Sequence, residues 1–498
     1  MAETDTFNPS TPGALRAKHG PRWQLEEDFA QNTLDILDSG RNLRKYEAEE
    51  AANYAYRVHM SCPLDMIPDA LAIREDNLFR DPPAREYEGS KYADLIGKLV
   101  ADADGEGTSL NRFMRRALWA RNSMGVDIVT QMTAAPEGME IRSKADETNA
   151  GLRPFWLQFT ALQKVDWATT GSNIYQWVRY SLGEIPAPSE KDGPPGIRQF
   201  LTLTPETWTK WAQNIEKQGK DDAEAILVAE GEHDLGIVPA IKFYCGESMV
   251  PGEGGVPLSL ITRAAVVARC AMNLKSQADM DLLAAVARWV LKGVASDQAP
   301  DSLGPLMLWC TESIDADLDV VQGSTQPITE KREWLKMYLD EILRLLKFRG
   351  GMGDISGNQA SGVKLALEMT DLRNELLSTA SEMEAVETEM MRQAVVMATG
   401  DKIPKDKNAG EVLGYTVRYN KQFVLDSAAD LLEYMKTWFV DLDSVAVNTP
   451  MLGKALLERF GNLLIRNDDP DAEQAAIEIE AAADVLMAND VEPTDGDV

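Results

Sequence analysis

The stretch from residue 257 to 398 constrains this chain most, because its patterns can be built only from long rods. Helical patterns at 258–291 and 329–348 flank an acidic interruption at 292–328, and a third, at 363–398, follows a glycine-rich break. In the first, Ile261, Ala264, Ala268, Ala271, Ala278, Leu282, Val286 and Trp289 recur at helical spacing. Gly254 and Gly255 precede Pro257, which suits a first helical position. Ser276 with Asp279 matches a capping box and marks a candidate kink. The third pattern carries Leu365, Met369, Leu372, Leu376, Thr379, Met383, Val386 and Met390, a heptad-like seam that only Thr379 interrupts. A helix over 363–398 extends roughly 54 Å. A rod that long with one narrow seam must lie along other elements over its length.

The break contains Gly350, Gly351, Gly353, Gly357 and Gly362. Five glycines cannot stay helical, since each costs roughly 1 kcal/mol against alanine. The spacing fits no nucleotide motif. A dinucleotide fingerprint needs G-x-G-x-x-G after a strand, and here the third glycine comes one residue late, after a helix. The Gly-Lys pairs at Gly97, Gly219 and Gly453 are followed by Leu99, Asp221 and Ala455, not by the Ser or Thr of a phosphate-binding loop. A mobile loop presented to something that moves past it and an ordinary long connector both fit.

Net charge is −30 over 498 residues. A tight nucleic-acid binder gathers Lys and Arg on one face, so this chain either never meets nucleic acid or handles it without holding it. No apolar run reaches the ~18 residues of a membrane span, because Arg263 and Arg269 interrupt the most apolar helix. The acidic N-terminus lacks the apolar core of a signal peptide. Cys62, Cys245, Cys270 and Cys310 form no C-x-x-C pair, and His19, His59 and His233 are far apart. These counts predict no disulfide framework, no metal centre, no cofactor site and no catalytic group, in a reducing compartment.

Elsewhere, prolines 9, 12 and 21 mark residues 1–22 as a loose arm. The pattern is helical over 23–56, changes to short β and turn signals over 57–83, and is helical again over 92–103 and 110–123. Residues 126–132 alternate as a strand. Trp156, Phe159, Trp167, Tyr175, Trp177 and Tyr180 have β spacing broken at 170–173, and read as sheet core. Residues 185–196 form a Pro/Gly-rich loop, and 225–229 and 237–245 read as strands. In the acidic interruption, residues 315–321 alternate, placing Asp315, Asp317 and Asp319 on one face. Val320 stands where a calcium loop would need glycine. Beyond the charged turn at 401–410, residues 415–423 read as a strand, 427–439 and 446–466 as helices, and the acidic remainder as a patch at 472–487 and a disordered tip.

This order of helix, acidic β insert, helix, glycine loop and long helix resembles the portal proteins of tailed double-stranded-DNA bacteriophages. Ile237-Val-Pro-Ala-Ile-Lys-Phe243 is similar to the family's G-x-I-P strand before the first stem helix. Gly357, Asn358, Ser361, Gly362 and Leu365-Ala366-Leu367 match the G-N-x-S-G-x-A-L stretch after its tunnel loop, with Gln359 and Ala360 adding a residue. Tyr56-Arg57, Pro63 and Phe79 resemble its early Y-x-x-R region. The likeness covers roughly 23–440. It implies an α+β, predominantly helical portal fold in a homo-oligomeric ring, usually a dodecamer, at one capsid vertex of a virion assembled in the host cytoplasm. The wing would be 23–256 with 363–445, the stem 257–291 and 329–348, the clip 292–328, the tunnel loop 349–362 and the crown 446–498. It implies double-stranded DNA in transit without sequence specificity. It also implies docking of terminase, major capsid protein, scaffold and head-completion or tail adaptor proteins, with no membrane partner. Twelve copies at −30 each amount to about −360, so the duplex would slide without sticking.

Two sets of site residues follow. Lys336, Arg344, Lys347 and Arg349, with Gly350, Gly351, Gly353 and Asn358, would face DNA as a positive belt at the narrowest point. Glu312, Asp315, Asp317 and Asp319 would form the docking clip. Local roles compete: Arg344 and Lys347 pair with Asp340 or neighbouring acids, or serve the helix end. Two readings from other classes stand beside the ring, an enzyme using Glu382 and Glu389 as a carboxylate pair, and an acidic scaffold or adaptor without a channel.

Overall fold

Trp23 and Phe29, both buried, anchor the first helix, α1 (Ala14–Gln31), in two different clusters of the core. The computed structural model describes residues 9–31, 40–47, 49–61, 66–133, 152–171, 173–185, 196–214, 225–233, 235–285, 288–292, 317–321, 326–348, 362–404 and 409–421, with backbone alone at 283–292, 317–321, 326–327 and 362–371. Residues 14–22, expected in a loose arm, belong to α1. Pro21 lies inside the helix, and packing of Trp23, Leu25 and Phe29 outweighs its missing N–H. Lys18 Nζ also reaches Glu253 at 2.5 Å, and Arg22 donates to the Pro257 carbonyl at 2.6 Å.

The helical pattern expected over 23–56 is met at 23–31 and at 51–56 in α2 (Ala51–Met60), but not at 40–47 and 49–50, which are turns and irregular chain. The end of α2 and α3 (Met66–Leu78) replace the β and turn signals expected over 57–83. Ile67, Ala70, Leu71, Arg74 and Leu78 are buried at helical spacing. Strand β1 (Ala84–Glu86) leads to α4 (Ala93–Ala101) and α5 (Leu110–Ser123), the two helices read from the sequence. Gly125 ends α5 at φ +88°, its amide bonded to the Ala120 carbonyl, and a Cβ there would stand 2.4 Å from that of Pro257.

Two antiparallel sheets follow. Strands β2 (Val126–Met132), β3 (Pro154–Thr160) and, later, the short strand Ala240–Phe243 form a sheet with β2 in the centre. Strands β4 (Lys164–Thr169), β5 (Tyr175–Ile185), β6 (Ile197–Leu203), β7 (Thr207–Asn214) and β8 (Ile226–Glu232) form a five-stranded meander in chain order. Ala240–Phe243 is β9. The expected aromatic core is buried at Trp156, Phe159, Trp167, Tyr175 and Tyr180, with Trp177 half-buried. Pro257 opens no helix. It lies in β11 (Pro257–Leu258), paired with β10 (Gly246–Glu247).

Helix α6 (Thr262–Ala285) is shorter than the expected 258–291 pattern. Ser276 makes no capping-box kink; its buried hydroxyl accepts from Ser61 at 3.0 Å and from Arg57 at 3.4 Å inside a continuous helix. Trp289, read as helical, falls in β12 (Arg288–Lys292), which pairs antiparallel with β13 (Asp317–Val321). Helix α7 (Gln326–Leu345) runs back along α6, and the 38-residue α8 (Gly362–Thr399) follows. Its seam is buried at Leu372, Leu376, Thr379, Met383, Val386 and Met390, and the Thr379 hydroxyl donates to the Glu375 carbonyl at 2.9 Å. Helix α9 (Ala409–Leu413) and β14 (Thr416–Arg418), antiparallel to β1, end the described chain. Expectations for 185–196 and beyond 421 lie mostly outside the described residues.

One ion pair staples the two sheets together. Asp127 on β2 stands 3.1 Å from Lys164 Nζ on β4, with both side chains almost wholly inaccessible. Lys164 also donates to the Tyr175 and Tyr244 hydroxyls at 2.6 and 2.8 Å and to the Gly255 carbonyl at 2.9 Å. Asp127 accepts from Tyr175, Tyr180 and Tyr244. Burial pushes the Lys164 ammonium down, Asp127 opposes that, and the three phenols are driven well up by burial beside the carboxylate. Asp127→Ala leaves a buried cation unpaired and is expected to cost about 3–5 kcal/mol. Chemical denaturation of the variant checks this, and a loss under about 1 kcal/mol contradicts the staple.

Candidate channel segment

Helices α6 and α7 form a hairpin whose far end carries the β12–β13 pair. Lys331 near the start of α7 reaches Asp281 near the end of α6 at 2.5 Å, which sets the antiparallel sense. In the β register Lys292 opposes Asp317, and Val290 opposes Asp319. The clip acids Asp317 and Asp319 therefore lie in β13 at the hairpin's tip, whereas Glu312 and Asp315 fall outside the described residues.

The near end of α7 is fixed in a different way. Lys347 adopts φ +58°, a left-handed conformation unusual outside glycine, and stops the helix there. The Phe348 amide then bonds the Leu343 carbonyl at 2.9 Å, and the Phe348 ring is buried. Arg74, buried on α3, holds this turn: its guanidinium lies 4.8 Å from the Phe348 ring centroid and donates to the Leu346 and Ala70 carbonyls. The same guanidinium pairs with Glu375 of α8 at 3.1 Å, and Lys347 reaches the other Glu375 oxygen at 3.0 Å. Burial pushes the Glu375 carboxyl up, but Arg74 and Lys347 together hold it below the usual carboxylate range. One half-buried carboxylate thus ties the end of α7 to α8, at a point thirteen residues into that helix.

The predicted belt is consequently not a row of uncompensated cations. Lys336 pairs with Glu333 at 3.1 Å, Arg344 with Glu341, and Lys347 with Glu375. Arg344 thus pairs with a neighbouring acid, and Lys347 serves the helix end. Lys336 and Arg344 are half exposed, and solvent screening leaves pairs of this kind contributing little to stability. Arg349, Gly350, Gly351, Gly353 and Asn358 lie outside the described residues.

Glu382 and Glu389 each have an arginine partner of their own. Glu382 is held by Arg121, and Glu389 takes both arms of Arg392 at 2.7 Å. Among the described residues no group of three or more His, Cys, Asp or Glu is placed to hold a metal ion, and Cys245 and Cys270 are free thiols. No helix of the described residues is long and apolar enough to cross a membrane.

Arg74, Glu375 and Phe348 were not singled out from the sequence. A signal was present for Arg74, a charge at a core position of the stripe Ile67, Ala70, Leu71, Leu78, which calls for a buried partner. Nothing local marks Glu375 as that partner, some three hundred residues away. The chain matches no family model and no curated protein.

Glu375→Gln is expected to lower stability at pH 7 by about 3 kcal/mol, because Arg74 keeps its charge without a counter-ion. The contribution of a carboxylate held low is present above its unfolded value near 4.3 and is lost as pH falls through the folded value. The gap between wild type and variant should therefore close below about pH 4. Thermal melts at pH 7 and at steps from pH 4 downward test this, and a gap that stays constant to the lowest pH at which both proteins fold contradicts the clamp.

Proposed function

We propose that this chain is the portal subunit of a tailed double-stranded-DNA bacteriophage, closing into a radial ring, a dodecamer in the family's usual form, at one capsid vertex. The observation that carries the reading is the order α6, strand-paired tip, α7, clamped turn, glycine segment and α8. In this reading α6 and α7 are the stem, the tip is the clip, and the segment 349–362 is a tunnel loop that leaves α7 at the turn held by Arg74 and Glu375. The tip serves terminase and then head-completion and tail adaptor proteins, while the wing meets major capsid protein and scaffold. DNA slides through because a channel of net negative charge repels phosphates, with the paired residues of α7 offering weak, salt-screened contacts.

Lateral assembly draws support from the surface of the hairpin. Val266 and Leu282 on α6, and Trp334 and Met337 on α7, are exposed large apolar residues on this two-helix projection. Trp334 and Met337 stand three apart and so share one face of α7, an apolar surface that a neighbouring copy would cover. Native mass spectrometry is expected to find a closed assembly, with twelve chains of 55.0 kDa amounting to about 660 kDa. The double variant Trp334→Asp with Met337→Asp should lose the assembly while keeping its far-ultraviolet circular dichroism. Only monomers and dimers across a range of salt would overturn the ring and leave an acidic adaptor as the better reading.

A further inference from the structure

The five-stranded sheet is closed along one margin and open along the other. At β4 the N-terminal segment caps the sheet, the Gly13 amide donating to the Val165 carbonyl at 3.0 Å. At the opposite margin β8 pairs with β7, and no described residue pairs with its outer side. Ile226, Leu227 and Val228 are 69%, 42% and 51% exposed on this edge. Free edges are ordinarily blunted by lysine, proline or a bulge, because their unpaired amides and carbonyls recruit other strands. Residues 226–232 contain neither lysine nor proline. A bulge is present: the register steps from Lys210↔Ala229 to Trp211↔Leu227, leaving Val228 as the extra residue. Beyond it, Glu230 and Glu232 are exposed and stand two apart, hence on one face.

We infer that β8 takes up an extended segment of a partner protein as a sixth strand, apolar where it meets 226–228 and carrying two Lys or Arg residues two positions apart opposite Glu230 and Glu232. Main-chain hydrogen bonds supply the affinity in this mode, and side chains at alternate positions set the register. Charge decides against a second copy as the occupant. The two exposed carboxylates of this edge, Glu230 and Glu232, attract a strand that brings Lys or Arg opposite them and repel one that brings further acids, such as another β8. The inference needs only the free edge and stands whether or not the chain forms a ring.

The test is fluorescence anisotropy of the full-length protein with a dye-labelled peptide, Lys-Thr-Lys-Thr-Val-Ile-Val, written to lie antiparallel to residues 226–232. Saturable binding at low salt is expected, and Leu227→Lys, which blunts the edge, should abolish it. Glu230→Lys with Glu232→Lys should weaken binding by about tenfold, each reversal turning an attraction into a repulsion. A peptide with Glu in place of both Lys should bind this double variant and not the wild type, which separates charge recognition from loss of fold. No saturable binding, or binding indifferent to the exchange of charge, overturns the proposal. So does self-association of the wild type that Leu227→Lys dissolves, since the occupant would then be a second copy.

Discussion

Burial of one face of α8 is the constraint on which the rest of the molecule depends. The helix lies against β2, β3 and β9 of the three-stranded sheet and against α3, α9 and β14. Each Leu, Met or Val of its seam contributes about 1.5–3 kcal/mol when fully buried, so the stripe from Leu372 to Val395 supplies much of the core. Its polar residues then choose the neighbours. Glu375 takes Arg74 and Lys347, Glu382 takes Arg121, and buried Glu387 takes both arms of Arg85 together with the Tyr415 and Tyr419 hydroxyls. An apolar face sets how deep the rod sits, and carboxylates along it fix which side chains meet it.

Three of the inward-facing carboxylates are matched by basic side chains. Asp127, Glu375 and Glu387 each meet a basic side chain that is itself almost fully buried. Removing one partner strands the other in a low dielectric, which makes these pairs points of specificity more than of net stability. The excess of negative charge is therefore left to the surface, where it governs which partners approach.

Long periodic elements were legible in the sequence, and elements set by distant contacts were not. The seam of α8, the buried face of α5 and the strand 126–132 follow from repeats that neighbouring residues enforce. The helical start at 14–22 was hidden by Pro21, because the packing of Trp23 under β4 outweighs the local preference. Helix α3 was hidden by the prolines and turn residues around it, whereas the first six residues of α2 lie in a stretch that reads as helical. Strands β6 and β7 carry no strong alternation and are held by their neighbours in the meander. Trp289 follows helical spacing in sequence yet joins β12, since pairing with Asp317–Val321 closes the hairpin tip. The candidate belt was legible as a cluster of charge. Its pairing with Glu333, Glu341 and Glu375 needed the fold, most of all for Glu375, which comes from another helix.

The central proposal, that the glycine segment 349–362 lines a path for DNA, is tested most directly by site-specific crosslinking in DNA-filled particles. A photo-crosslinker is attached at Gly353→Cys, and as a control at Met249→Cys, a position 97% exposed in a different part of the fold. The account predicts covalent attachment of DNA from position 353 and none from position 249. Equal labelling at the two positions, or no DNA adduct at 353, would contradict it.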